Sequence, residues 1–342
     1  MSLKNSSVAI KIHKLFKKKL KDKRISKIYK SFEKSLKIDS SFIVAVSGGT
    51  DSLALAFLAK LYSIKKNINS KFFIVDHKLR KESTLEASLI KKVLRKSFIN
   101  SEILTWKGAK PSTNIQSLAR KKRYELLVLK CNELNINNIL LGHHQDDLFE
   151  NFFIRLLRGS GLKGLVSLAK KNQFGNINLL RPLLDQKKED LIYISKNVFD
   201  FYAQDPSNED TKYQRIKVRQ LIQKLEKDGL DKKKFTKTIN NLKSSNNVIK
   251  FYVDENLKKN TSFLEKKNKL LLNESFFQQP QEVIFRSFSD SIKQIGKKYY
   301  SVRGKKLDKV IKDIEKKRLL RVTLGGCIIE KVNQTVIISK EY

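Results

Sequence analysis

The stretch FIVAVSGGTDSLALAFLAK, residues 42–60, decides how this chain is read. Residues 42–47 are apolar and β-rich, which suits a buried strand, and residues 52–61 read as a helix. Ser47 to Ser52 join the two. Gly48 and Gly49 let backbone N–H groups approach an anion closely. The start of the next helix adds oriented amides and a partial positive charge, and Ser47 and Ser52 add hydroxyl donors. The stretch lacks the lysine of a G-x-x-x-x-G-K-[ST] loop. Asp51 would repel a bare phosphate, so it suits either Mg²⁺ held between phosphates or a helix cap. A Gly-Gly turn by itself is more often just a tight turn.

Outward from this loop, short apolar runs alternate with helical patterns. Strands are expected at 71–77, 101–106, 137–144 and 177–184, and helices at 84–98, 114–134 and 145–158. Near-continuous apolar strands alternating with helices predict an α/β fold, a parallel sheet covered on both faces. Ligands in such sheets bind at the carboxyl ends of the strands. Ser47-Gly48-Gly49, Asp76-His77 and His143-His144 follow the first, second and fourth strands, so they are expected at one rim.

The chain has 342 residues, 72 basic and 34 acidic, for a net charge of +38. The Lys-rich composition fits codon bias, but the shortage of acids does not follow from it, and such a field favours a polyanionic partner. Residues 216–342 hold 30 basic and 14 acidic side chains, so both parts of the chain share the excess. No apolar run approaches the ~20 residues of a membrane span, and no signal-peptide core follows the basic start. A cytoplasmic protein without membrane attachment is expected, and no obligate protein partner is implied. The two cysteines, Cys131 and Cys327, form no C-x-x-C, which argues against zinc ribbons, iron–sulfur clusters and a disulfide scaffold. Three regions are expected: 1–40, a basic helical extension with Ile25, Ile28, Phe32 and Leu36 on one face; 41–215, the nucleotide-binding domain; and 216–342, a linker helix and a smaller basic α+β domain. In the last, helices are expected at 281–295 and 304–316, then antiparallel strands turning at Gly325-Gly326 and Asn333-Gln334.

The string Ser47-Gly48-Gly49-Thr50-Asp51-Ser52 resembles the S-G-G-x-D-S loop of the PP-loop ATPases, whose N-terminal fold is Rossmann-like, of the adenine nucleotide alpha-hydrolase kind. VDHKLR (75–80), ARKKRYELL (119–127), GHHQDDLFEN (142–151), LLRGSGLKGL (156–165), RPLL (181–184), DPSNEDTKYQR (205–215) and TLGGCIIEK (323–331) follow in order. Together they resemble the tRNA(Ile)-lysidine synthase family in a short form with one C-terminal domain. Leu148 and Ile216 depart from the family pattern. The resemblance implies ATP and Mg²⁺, a tRNA(Ile) with a CAU anticodon, and L-lysine. It implies that ATP is cut between the α and β phosphates, which accounts for the missing loop lysine. The wobble cytidine is adenylated at O2, and the lysine amine then displaces AMP at C2.

Ser47, Gly48, Gly49, Thr50, Asp51, Ser52 and His77 are the expected ATP contacts. Asp147, Glu150, Asp51, Arg123 and His143 are the expected catalytic residues. Asp147 and Glu150 are three apart and share a helix face, although acids in a first helical turn are also ordinary caps. His144, Asp146, Arg158, Asp205, Asn208 and Arg215 are expected around the lysine and the nucleoside, and Asp51 and Asp147 as Mg²⁺ ligands. By the resemblance Arg123 meets the α-phosphate or the adenylated base, although a solvated basic face also fits RKKR. Two alternatives stand beside this reading. One is a PP-loop tRNA thiolase, which needs reactive cysteines. The other is a non-catalytic RNA-binding protein with a vestigial nucleotide loop.

Overall fold

The structure is a computed structural model, and it describes residues 16–80, 82–108, 115–202, 214–265, 268–297, 302 and 304–341. The chain divides into two compact units, Met1–Leu230 and Asp231–Tyr342.

The first unit is built on a six-stranded sheet of order β3-β2-β1-β4-β6-β5. Its strands are β1 (Phe42–Val46), β2 (Ser70–Asp76), β3 (Ser101–Thr105), β4 (Asn138–Leu140), β5 (Lys171–Phe174) and β6 (Ile177–Leu180). β3, β2, β1, β4 and β6 run parallel. β5 is an antiparallel edge strand paired to β6, which departs from the all-parallel expectation. Its sequence KNQF is too polar to signal a strand, and the turn before β6 passes through Gly175 at φ 58°. The helices are α1 (Lys23–Ser35), α2 (Thr50–Lys66), α3 (Ser83–Lys96), α4 (Ile115–Glu133), α5 (Gln145–Leu157), α6 (Leu162–Leu165), α7 (Lys188–Phe199) and α8 (Gln214–Lys227).

Strand alternation divides the core. Phe42, Val44 and Val46 point to one face of the sheet and join a cluster with α1, α2, α3 and α7. Ile43, with Phe73, Leu104, Ile139 and Leu141, points to the other face, toward Leu127 and Cys131 of α4. The described part of the stretch set apart above as an N-terminal extension, residues 16–40, is not separate from this core. Ile25, Ile28, Tyr29 and Phe32 of α1 are buried in it, and the Phe32 ring meets Tyr62 edge-on at 6.2 Å. Asp22 caps α1, its carboxylate accepting from the Arg24 and Ile25 amides at 2.8 and 3.0 Å. α8, assigned to the C-terminal region from sequence, falls within the first unit.

The strand order reverses between β1 and β4, and the loops after these two strands are therefore neighbours. Gly142 makes the approach close: a Cβ there would lie 3.3 Å from the backbone of Asp51 and Ser52. The fold thus presses the anion loop against the segment that carries His143, His144 and Asp147.

The second unit opens with the 29-residue α9 (Lys232–Asn260). A five-stranded antiparallel sheet follows, of order β7-β8-β11-β10-β9: β7 (Thr261–Leu264), β8 (Lys269–Leu272), β9 (Arg321–Leu324), β10 (Cys327–Val332) and β11 (Thr335–Lys340). Helices α10 (Gln281–Gly296) and α11 (Gly304–Glu315) cover it. The two expected hairpins are present, with Gly325, Gly326 and Asn333 at φ 66°, 79° and 54°. Among the described residues no helix is long and apolar enough to cross a membrane.

Gly296 ends α10 against the β9–β10 hairpin, where an added Cβ would stand 2.4 Å from the Gly325 carbonyl oxygen. A hairpin backbone cannot retreat as a side chain does. Gly296→Ala should therefore destabilise the second unit by about 1–3 kcal/mol, seen as a lowered transition in calorimetry of the full chain. An unchanged transition would show that the hairpin yields freely.

Candidate active site

The anion loop is tied by its own serines. Ser52 Oγ donates to the Gly49 carbonyl at 3.0 Å and accepts from the Ser47 amide at 3.1 Å. The Ser47 hydroxyl lies 3.2 Å from the same oxygen. Gly48 stands at φ 86°, a conformation that a side chain would strain. Gly49 is the N-cap of α2 and provides no side chain to cover the helix end. The amides of the first turn, which have no partner within the helix, therefore face the loop mouth.

Asp51 stands in that mouth, and its charge is balanced from a distance in sequence. Lys188 Nζ, at the start of α7, donates to both carboxylate oxygens at 2.7 and 2.8 Å and to Thr50 Oγ1 at 2.9 Å. Ser195, buried about two turns further along the same helix face, donates to the Thr50 carbonyl at 2.6 Å and locks α7 to the loop. Lys188 is absent from the sequence-based set. KKED offers Lys187 and Lys188 equally, and only the packing of α7 selects the second.

After β4, His144 caps α5. Its Nδ1 accepts from the Asp146 amide at 3.3 Å, and the Asp147 carboxylate accepts from the His144 amide at 2.9 Å. This reciprocal box is the capping arrangement weighed against a functional reading above. It does not use up Asp147, whose second oxygen pairs with Arg215. His144 Nε2 lies between two carboxylates, 3.5 Å from Asp51 and 3.6 Å from Asp147. Glu150 is buried, and both its oxygens are held, one by Arg215 and one by Arg219 Nε at 2.5 Å. It anchors α8 on α5. Burial would raise the Asp147 carboxyl, but His144 and Arg215 hold it below the usual carboxylate range. Burial would lower Arg215, and Asp147 and Glu150 together hold it up.

The other expected residues divide. Arg123 on α4 is half-buried and makes no ion pair among the described residues; its charged neighbours are Arg120 and Arg215. A guanidinium so placed is ready for an anion. His77 at the end of β2 and His143 after β4 each keep a buried Nδ1 without a hydrogen-bond partner among the described residues. Arg158 is not brought to the cluster. It caps the far end of α5 and donates to Gln214 at 2.7 Å; twelve residues at 1.5 Å put it roughly 18 Å along the helix from Asp146. Asp205 and Asn208 lie outside the described residues. Arg181, the first residue of the RPLL segment and given no role above, is buried just after β6 and fastens the β5 hairpin through the Ala169 carbonyl at 2.9 Å and Asn172 at 2.5 Å.

Among the described residues no group of three or more His, Cys, Asp or Glu forms a metal cage. Mg²⁺ carried with a nucleotide needs only one or two carboxylates beside phosphates and water. Asp51 and Asp147, which flank the same imidazole nitrogen, fit that requirement.

Burial pushes the His77 imidazole down to about 4 and the His143 imidazole down to about 3, with nearby arginines acting in the same direction. Both are neutral in the folded chain at pH ~6.5, where half of the unfolded copies carry a proton. The unfolded state therefore binds more protons below that point, and stability falls as pH drops from about 6.5 toward 4. Denaturant midpoints measured at pH about 7 and about 5 should show the loss, and His77→Gln/His143→Gln should flatten it. Equal slopes in both proteins would contradict the assignment.

Comparison with known proteins agrees with this geometry. Residues 17–226 match the PP-loop domain family. The tRNA(Ile)-lysidine synthase of Orientia tsutsugamushi is 34% identical over 317 residues, covering 87% of this chain and 69% of that protein. The tRNA(Ile)-lysidine synthase of a Wolbachia species from Brugia malayi is 32% identical, covering 87% and 70%. In solved structures, the U34-tRNA thiolase NcsA of Methanococcus maripaludis superposes with a TM-score of 0.56 at 20% identity, over 66% of this chain and 80% of that one, a likeness of fold. The loop, the strand order and the extended match to these relatives lead to one statement: the chain belongs to the tRNA(Ile)-lysidine synthase family, on a PP-loop domain.

Proposed function

We propose that this chain joins L-lysine to C2 of the wobble cytidine of a CAU-anticodon tRNA(Ile), with ATP split to AMP and pyrophosphate. The observation that carries the reading is the meeting of a lysine-free anion loop with the Asp147 carboxylate across one strand reversal. The loop amides, Ser47 and Ser52 take the β and γ phosphates. Lys188 swings from Asp51 to those phosphates, and Arg123 meets the α-phosphate. Asp51, so released, would hold Mg²⁺, which would neutralise charge on the phosphates.

In the first step O2 of the cytidine attacks the α-phosphorus, the bond to the β-phosphate oxygen breaks, and pyrophosphate leaves. In the second the lysine nitrogen attacks C2, the C2–O2 bond breaks, and the oxygen leaves with AMP. Asp147 draws the ammonium of lysine to the site. A carboxylate also raises the pKa of the amine it binds, so a different group receives the proton. His143, neutral and with Nδ1 unpartnered among the described residues, stands beside Asp147, and a phosphate arriving next to it raises its basicity. Glu150, with both oxygens held, is a positioning residue that keeps Arg215 in place.

The basic second unit holds the tRNA body mainly by charge and shape, and a tRNA substrate places the enzyme in the cytoplasm. Sulfur transfer fits less well. Cys131 and Cys327 are fully buried and lie in different units, and burial pushes the Cys131 thiol up to about 11.

Mass analysis of nucleosides from the CAU-anticodon tRNA after incubation with protein, ATP and lysine should show lysidine. Asp147→Ala should lose the product by at least about a hundredfold while keeping tRNA affinity. Unmodified cytidine with the unaltered protein, or equal loss of binding and product in the variant, would contradict the reading.

A further inference from the structure

The carboxyl ends of β2 and β3 enclose a second cavity that the mechanism above leaves unused. It measures about 300 Å³ and is lined by His77, Lys78, Trp106, Lys107 and Gly108. That is the small end of ligand-pocket sizes, enough for one planar ring system.

Its walls are held firmly. Buried Asp76 accepts from the Ser83 and Thr84 hydroxyls at 2.7 Å each and from the Lys78 amide at 2.9 Å. This fixes Lys78 at φ 49°, a conformation a lysine seldom adopts. The Asp76 carbonyl accepts from the Trp106 amide at 2.9 Å, which sets the residue carrying the indole against the same support. A Cβ at position 108 would stand 3.0 Å from the indole Nε1, so glycine leaves that edge of the ring clear.

The lining has the makeup of a base-stacking site. A half-buried indole offers a flat apolar ring, and the exposed Lys78 and Lys107 line the same cavity. His77 adds a neutral imidazole whose Nδ1 has no hydrogen-bond partner among the described residues. Adenine and an RNA base share the ring chemistry that would stack here. The phosphates of ATP, however, belong at the Ser47–Ser52 loop, whereas two exposed lysines lining one cavity with an aromatic ring suit a strand with a phosphate before and after the stacked base.

We propose that this cavity binds one unpaired base of the tRNA anticodon loop, stacked on Trp106, with Lys78 and Lys107 at its adjoining phosphates. The proposal rests on the tRNA-modifying function argued above and adds a site that steadies the loop while the neighbouring cytidine reacts.

Trp106 is the only tryptophan in the chain, so its fluorescence reports on this cavity alone. The full chain is titrated with ATP and, separately, with an anticodon stem–loop RNA carrying CAU. The RNA should quench the indole emission, and ATP without RNA should leave it unchanged. Trp106→Ala should weaken RNA affinity about tenfold, as loss of one stacked base does; Trp106→Phe should recover most of it, and Gly108→Val should mimic the alanine variant. Quenching by ATP alone would assign the cavity to adenine and overturn the proposal. RNA binding with no change in emission would overturn it as well. If the unaltered protein forms lysidine while either of those results is found, the stacking site fails and the enzymatic reading stands. If it forms none, the enzymatic reading itself has failed.

Discussion

The pairing of Asp51 with Lys188 is the interaction on which the site depends. An anion loop that carries its own carboxylate opposes the ligand it is shaped to hold. A lysine in bidentate contact, at 2.7 and 2.8 Å, cancels that charge without occupying the loop amides. The same contact puts the Lys188 ammonium at the first turn of α2, beside Thr50 Oγ1 at 2.9 Å. The helix that bears Lys188 is fastened by Ser195 to the Thr50 carbonyl, so the cation is supplied from a rigid element. The loop can therefore dispense with a lysine of its own.

Opposite the loop the charges form a second connected set. Glu150 is buried, and a lone carboxylate in that position would cost several kcal/mol. Two guanidiniums from α8 satisfy it, and one of them, Arg215, also reaches Asp147. A helix far along the chain is thereby tied to the acids after β4. Arg123 stays half-buried without an acidic partner among the described residues, with Arg120 and Arg215 as its charged neighbours. Gly142 brings both sets together, because any side chain there would press on the first turn of α2.

Much of this was legible from residue order. Alternating apolar runs gave the parallel strands, and the glycines after β1 marked the loop, since backbone conformation at such positions is a local property. The rim could be foreseen because parallel strands end on one side. What escaped were features set by tertiary packing or by polar segments. β5 has a sequence, KNQF, that no periodicity distinguishes from a loop. α9 carries eight lysines and its apolar positions are sparse, so its 29 residues gave no stripe strong enough to read. The amphipathic pattern of α1 does not tell an extension from a core helix, and it is packing that buries Phe32 and Tyr29. Lys188 and Arg219 were invisible because each is one basic residue among many, chosen only by what lies across from it. The spacing of Glu150 from Asp147 suggests catalysis, but spacing cannot tell a free carboxylate from one held by two arginines.

The central claim is that the loop retains pyrophosphate while a pyrimidine oxygen is adenylated. Analysis of the nucleotide products tests it most directly, with the purified chain given radiolabelled ATP, L-lysine and the CAU-anticodon tRNA. The account predicts AMP and pyrophosphate, released in step with lysine incorporation. ADP and orthophosphate would contradict it.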